Sequence, residues 1–279
     1  MSPSSSAAFT LNKRLFNPTT YARIRTVWFG DLPTTATTAP PALARKWFGG
    51  GPASEQAAFD HACTTSFRDA LAALGPDAFA LPGLNASTSY AAELAHGPSI
   101  AAPFARELAD AVGNASDVRA GEEAAADAAL GLVLLLDQVP RNVFRGADQA
   151  LVYAHYDRIA RSVARLVLEG KPRADLHPKW RASPAYRLWF YMPLMHSEFV
   201  QDQRRYEEVV GEVLAEVERG GDTEAAEYVK RSLEYGKKHR DILERFGRYP
   251  HRNEVLGRKM TKEEREWLEA GGETFGTKK

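Results

Sequence analysis

Apolar residues recur at spacings of three and four along most of the chain, while sustained two-residue alternation is scarce, so the pattern predicts helices. Asn17-Pro18 reads as an N-cap with proline in the first turn, and Tyr21, Ile24 and Trp28 then share one face up to Gly30. A second stripe through Gln56, Phe59, Cys63, Phe67, Leu71 and Leu74 predicts a helix over 53–74, followed by a loop at 76–90. Further helices are predicted around 100–112 and over 122–136, 147–169, 197–219 and 223–246, with another starting at Ser183-Pro184. The run Leu130–Leu136 is apolar all round, which marks a core helix; it is far short of the ~20 residues that span a bilayer. Pro140 predicts a break at Val139, Pro193 breaks a later helix, Ser197 and Asp222 are N-caps, and Thr261–Glu264 is a capping box. Roughly eight helices joined by short turns describe an all-α array of antiparallel helix pairs. No fixed-period repeat is visible.

Residues 18–279 read as a single domain, with a Thr/Ala/Pro-rich insertion at about 34–42 that is too polar to pack. Residues 1–17 read as a disordered tail. The N-terminus is Ser-rich with no acid before Asp31, a faint transit-peptide character, so the expected location is cytoplasmic with mitochondrial as the alternative. Lys plus Arg equals Asp plus Glu at 36 each, which argues against nucleic acid as a partner, and no segment suggests a membrane. The one cysteine, Cys63, allows no intrachain disulfide and lies in an apolar register, as a buried structural thiol does.

Three segments at helix breaks depart from this ordinary background. Asp137, Gln138, Arg141, Asn142 and Arg145 follow the core helix; Arg141 and Arg145 share a face, an arrangement that suits a carboxylate or phosphate, although Asp137 pairing with Arg141 explains it equally. His196, Glu198, Asp202 and Gln203 open the next long helix; one histidine with two carboxylates suits proton transfer or a hard metal, and a dipole-stabilised first turn explains Glu198 by itself. His239 then leads an Arg-rich stretch bent by Gly247, Pro250 and Gly257, which presents Arg248, His251, Arg252, Asn253 and Arg258. His239 is either a hydrogen-bonded core residue or the lining of a space left open by Gly236. Arginines turned inward need acids of the chain or an anionic ligand, because an unpaired buried charge is too costly.

Read in order, Trp28-Phe29-Gly30, Leu135–Gly146, Tyr191–Glu198 with Asp202-Gln203, and His239–Glu264 resemble the motifs of an uncharacterised bacterial and fungal family, domain of unknown function 924. The departures, Val139, Tyr249 and Lys259-Met260, leave the charged positions intact. The resemblance implies a tetratricopeptide-like helical superhelix and carries no activity with it.

Three readings follow. In the first, the protein is a small-molecule enzyme or binder whose pocket holds an anion with Asp137, Gln138, Arg141, Asn142, Arg145, Gln203, Arg248, Arg252, Asn253 and Arg258, while His196, Glu198, Asp202, His239 and His251 move protons or ligate. In the second, a helical scaffold grips an acidic peptide or a C-terminal carboxylate. In the third, the charges form a structural salt-bridge network. No motif names a cofactor or a metal, and the sequence leaves open whether the protein is an enzyme.

Overall fold

The computed structural model describes residues 9–83 and 89–275. Among them the secondary structure is helical, with no strand. The first helices are α1 (Pro18–Phe29), α2 (Pro41–Phe48), α3 (Ala53–Ala72), α4 (Tyr90–Gly113), α5 (Val118–Val133), α6 (Val139–Val143) and α7 (Gln149–Leu151). They are followed by α8 (Asp157–Glu169), α9 (Pro178–Arg181), α10 (Pro184–Arg187), α11 (Met192–His196), α12 (Val200–Gly220), α13 (Thr223–Phe246) and α14 (Lys262–Glu269). Three of the predicted caps are in place, at Asn17, Asp222 and Thr261. Asn17 accepts from the Thr20 amide, Asp222 accepts from that of Ala225, and Thr261 and Glu264 complete the capping box.

The all-apolar run sits where its pattern places it: Leu130 and Leu132–Leu136 are fully buried, and α1, α4 and α8 pack against α5. Trp28, Phe29, Trp47, Tyr186 and Trp189 form an aromatic cluster beside it, which accounts for the Trp28-Phe29-Gly30 motif as core. Cys63 is buried as expected, and burial pushes its thiol up to about 12. Two long helices, α12 and α13, pack along each other across Gly221, whose φ of +75 makes the tight reversal possible.

Pro140 does not break the helix. Between α5 and α6 the chain makes a π turn, Leu134–Gln138, in which the Val139 amide reaches back to the Leu134 carbonyl. The wider turn absorbs the proline ring and its missing N–H while the helical path continues. A second π turn, Val152–Tyr156, joins α7 to α8 and lies against the first. Each turn brings in a buried acid: Asp137 lies within the first, and Asp157 follows the second.

Two expectations for the N-terminal part are corrected. Residues 1–8 of the expected tail lie outside the described residues. Residues 9–17 are packed, with Leu11 and Phe16 buried and Phe9 against the Phe79 ring, because these apolar side chains have a core to join. The segment around 34–42 also packs: Ser183 donates to the Ala36 carbonyl, Thr38 donates to Glu224 at 3.3 Å, Ala39 lies against the core, and Pro41 opens α2. Of the predicted loop at 76–90, residues 84–88 lie outside the described residues.

Candidate functional site

The first π turn presents Asp137 to the last residue of α11. The Asp137 carboxylate is fully buried and receives His196 Nδ1 at 2.8 and 3.0 Å on its two oxygens, with Gln138 Nε2 at 2.5 Å. Burial alone would raise the Asp137 carboxyl, but His196, Arg141 and Gln138 outweigh it and hold it low. Burial and the nearby Arg141 lower the His196 imidazole against the pull of Asp137. The result is a carboxylate holding a neutral imidazole through Nδ1–H, which leaves Nε2 as the basic nitrogen.

Asp157 lies beside this pair. Arg141 donates to its Oδ1 at 2.6 Å, and Arg252 Nη1 stands 3.7 Å from Oδ2. Arg252 is buried between two phenol rings, its guanidinium 4.4 Å from both Tyr153 and Tyr249. Burial raises the Asp157 carboxyl, opposed by Arg141 and Arg252 and assisted by Asp137. Among the described residues, Asp157 Oδ2, Arg141 Nε, Arg252 Nε and His251 Nδ1 have no hydrogen-bond partner although they are buried. Native interiors satisfy nearly all such atoms.

His239 completes the group from α13. Its Nδ1 bonds the Tyr235 carbonyl at 2.8 Å, and its ring centre is 6.4 Å from that of His196. Gly236 leaves no space beside it, since an added Cβ would meet Tyr206 at 2.5 Å; the missing side chain is filled by Tyr206. Burial pushes both His239 and His251 down to about 3, so both are neutral at pH 7.

Of the other sequence-predicted residues, several hold this group in place. Glu198 lies ahead of α12, which starts at Val200 with Phe199 at its cap position; the Ser197 hydroxyl bonds the Phe199 amide and Asp202 instead. Glu198 takes two bonds from Arg258, at 2.6 and 3.0 Å, and one from the Tyr249 amide at 2.8 Å. This clamp fixes the loop that carries His251 and Arg252 and makes Glu198 a poor proton carrier. Gln203 Nε2 bonds the carbonyls of Leu194, Met195 and Ser197 and so secures the backbone around His196.

Asp202 does not join His196. It is fully buried on another side, with Ser197, Tyr90, Arg161 and Arg165 around it, because the cap of α12 falls at Phe199, two residues after the expected Ser197. Arg145 and Arg248 also stay apart. Arg145 holds Asp60 at the surface, and Arg248 holds Glu264 and the Lys259 carbonyl. Asn142 bonds the Gln138 carbonyl, and Asn253 reaches Met260 Sδ.

Sequence reasoning missed Asp157, Tyr153 and Phe275. Asp157 and Tyr153 stand in a stretch that reads as one amphipathic helix, where an acid counts as solvent face; only the π turn rotates them inward. Among the described residues, no three His, Cys, Asp or Glu side chains are grouped so as to hold a metal ion. No described helix is long and apolar enough to cross a membrane.

The model of a family described as "Bacterial protein of unknown function (DUF924)" matches residues 24–272. The chain is also similar to a solved structure titled "Structure of Protein of Unknown Function ATU0120 from Agrobacterium tumefaciens". That protein is 29% identical with a TM-score of 0.53, over 90% of this chain and 97% of the other. No curated protein matches the chain.

Proposed function

Because the chain belongs to the family of bacterial proteins of unknown function DUF924, whose name supplies no chemistry, we propose a function from the site itself: an anionic small molecule binds beside Asp137 and His196, with His196 as general base. The observation that carries this reading is the unspent polar capacity gathered in one place. Asp157 Oδ2, Arg141 Nε, Arg252 Nε and His251 Nδ1 are buried without hydrogen-bond partners in one group, whereas other such atoms among the described residues, Arg161 Nε, Arg187 Nη2 and Arg240 Nε, belong to side chains that each hold an acid of the chain at 3.3 Å or less.

In this reading Asp137 fixes the His196 tautomer, and Nε2 takes a proton from water or from a hydroxyl of the bound molecule. Arg252 and Arg141 balance the anion's charge. Asp157, with its raised carboxyl, takes up a proton when a second negative charge arrives.

The structural-network reading has support of its own. Arg240, Arg245, Arg248 and Arg258 are each held by an acid of the chain, as are the three arginines of α8. That reading absorbs Glu198, Asp202, Arg258 and the Arg141–Asp157 pair, and leaves the unpartnered atoms around Asp157 unexplained. An acidic peptide on a tetratricopeptide-like superhelix is less favoured, since most arginines it needs are already engaged.

Native mass spectrometry of the purified protein and of Arg252→Met tests the proposal. Methionine keeps the apolar stem between Tyr153 and Tyr249 and removes the charge. The expected result is an anion-sized mass excess on the native protein that Arg252→Met lacks. An excess retained at equal occupancy by Arg252→Met would place the ligand elsewhere.

A further inference from the structure

The segment after α14 turns back over the cluster and delivers one ring into it. Gly271 has φ +86, and a Cβ on Gly272 would meet the Trp267 ring at 2.4 Å, so the turn depends on both glycines. Phe275 then lies flat on His239, with ring centres 3.5 Å apart and planes 14° from parallel. Tyr249 and His251 stand edge-on, each 6.1 Å away and inclined by 80° and 72°. The ring therefore sits in a three-sided box whose walls come from α13 and the 249–251 segment.

This occupant is unlike the rest of the core. Phe275 adopts φ +47, a left-handed conformation that is strained for a residue with a side chain. The phenyl ring joins the small apolar cluster of Ile242, Leu243 and Tyr249, yet its face lies on His239 and its edge meets His251, which has an unpartnered Nδ1. The Tyr249 wall also carries the Arg252 guanidinium, 4.4 Å from its ring. Box and cation thus share a wall, and a flat ring in the box has an anion-binding group next to it.

Resting on the function proposed above, we infer that this box is the ring-binding subsite of the anion site, that it takes a flat aromatic ring bearing an anionic group, and that Phe275 is its intramolecular occupant. The tail competes with the ligand, and the ligand's ring displaces it. Removing the competitor raises the apparent affinity by the inverse of the fraction of chains that are open.

The test compares phenyl phosphate with methyl phosphate, which differ in the ring, by calorimetry on the full chain and on Phe275→Ala. Hydrogen exchange of amides 271–275 is followed alongside in the unaltered chain. Phenyl phosphate is expected to bind Phe275→Ala about tenfold tighter than the full chain, while methyl phosphate binds both alike. Saturating phenyl phosphate is expected to speed tail exchange in the unaltered chain. If both esters bind but the ring adds nothing, or tail exchange is unchanged at saturation, the subsite is overturned and the anion site stands. If neither ester binds either protein, both readings fall. The exchange experiment uses the natural chain, so it decides the matter even where Phe275→Ala destabilises the fold.

Discussion

Replacing Asp202 with alanine lowers the unfolding free energy by about 3–5 kcal/mol, the range for orphaning a buried charge, and leaves the anion site of the folded protein intact. Asp202 is fully buried and accepts from Ser197 Oγ at 2.7 Å and the Tyr90 hydroxyl at 3.1 Å. Arg161 Nε and Arg165 Nη1 each lie 3.3 Å from its carboxylate. Arg161 is itself buried beside the Tyr90 and Phe199 rings, and its other acid, Glu93, stands 4.0 Å away with two closer bonds from Arg158. Without Asp202 the buried Arg161 guanidinium has no close counter-charge among the described residues. Urea melts of Asp202→Ala read the loss directly. A loss under about 1 kcal/mol, the scale of an exposed pair, would mean the network is solvated.

The second large effect is a loss of stability on mild acidification. His239 and His251 have folded values of about 3, against about 6.5 in an unfolded chain. Above pH 6.5 both states bind no proton there. Below it the unfolded chain takes up two protons that the folded chain refuses, so stability falls with pH until the folded values are reached. Each proton is worth about 1.4 kcal/mol per pH unit. The raised Asp157 carboxyl acts in the opposite sense, while His196 and His155, also lowered by burial, add to the loss, which leaves at least about 1 kcal/mol per unit. The window from pH 6.5 to 4.5 isolates the histidines, since the carboxylates held low, Glu198 and Glu264, lose their contribution at lower pH. Melts across that window show the slope, and His239→Gln with His251→Gln makes it shallower, the remainder belonging to His196 and His155, whose imidazoles burial also lowers. An unchanged slope in the double variant would assign the acid sensitivity to other groups.

The helices and much of the core were legible because burial writes a period into the sequence. Leu130–Leu136, Phe59–Leu74 and the caps Asn17, Asp222 and Thr261 each carry a local rule that the structure obeys. The polar group was legible only in part. His196, Asp137, Arg141, His239, His251 and Arg252 stood out because polar residues at helix breaks violate the pattern. Their partners did not. Asp157 is presented by a π turn, which inserts one residue into a helix and changes its face without leaving a compositional mark. Phe275 reaches His239 across a long stretch of chain, a contact set by tertiary packing. In the other direction, Asp202 and Glu198 looked like site residues because spacing alone cannot say which side of a helix end a carboxylate faces.

The most direct test of the central claim is calorimetric titration with sulfate, whose charge is the same at pH 6 and pH 8. The Asp157 carboxyl faces Arg141, Arg252, Asp137 and His196, and an added anion favours its protonated form. Sulfate is expected to bind the natural chain, more tightly at pH 6 by at most about tenfold per unit of pH for one linked proton, and Arg252→Met is expected to abolish binding while remaining folded. Equal titration curves for the natural chain and Arg252→Met would contradict the claim and leave the cluster as part of the salt-bridge framework.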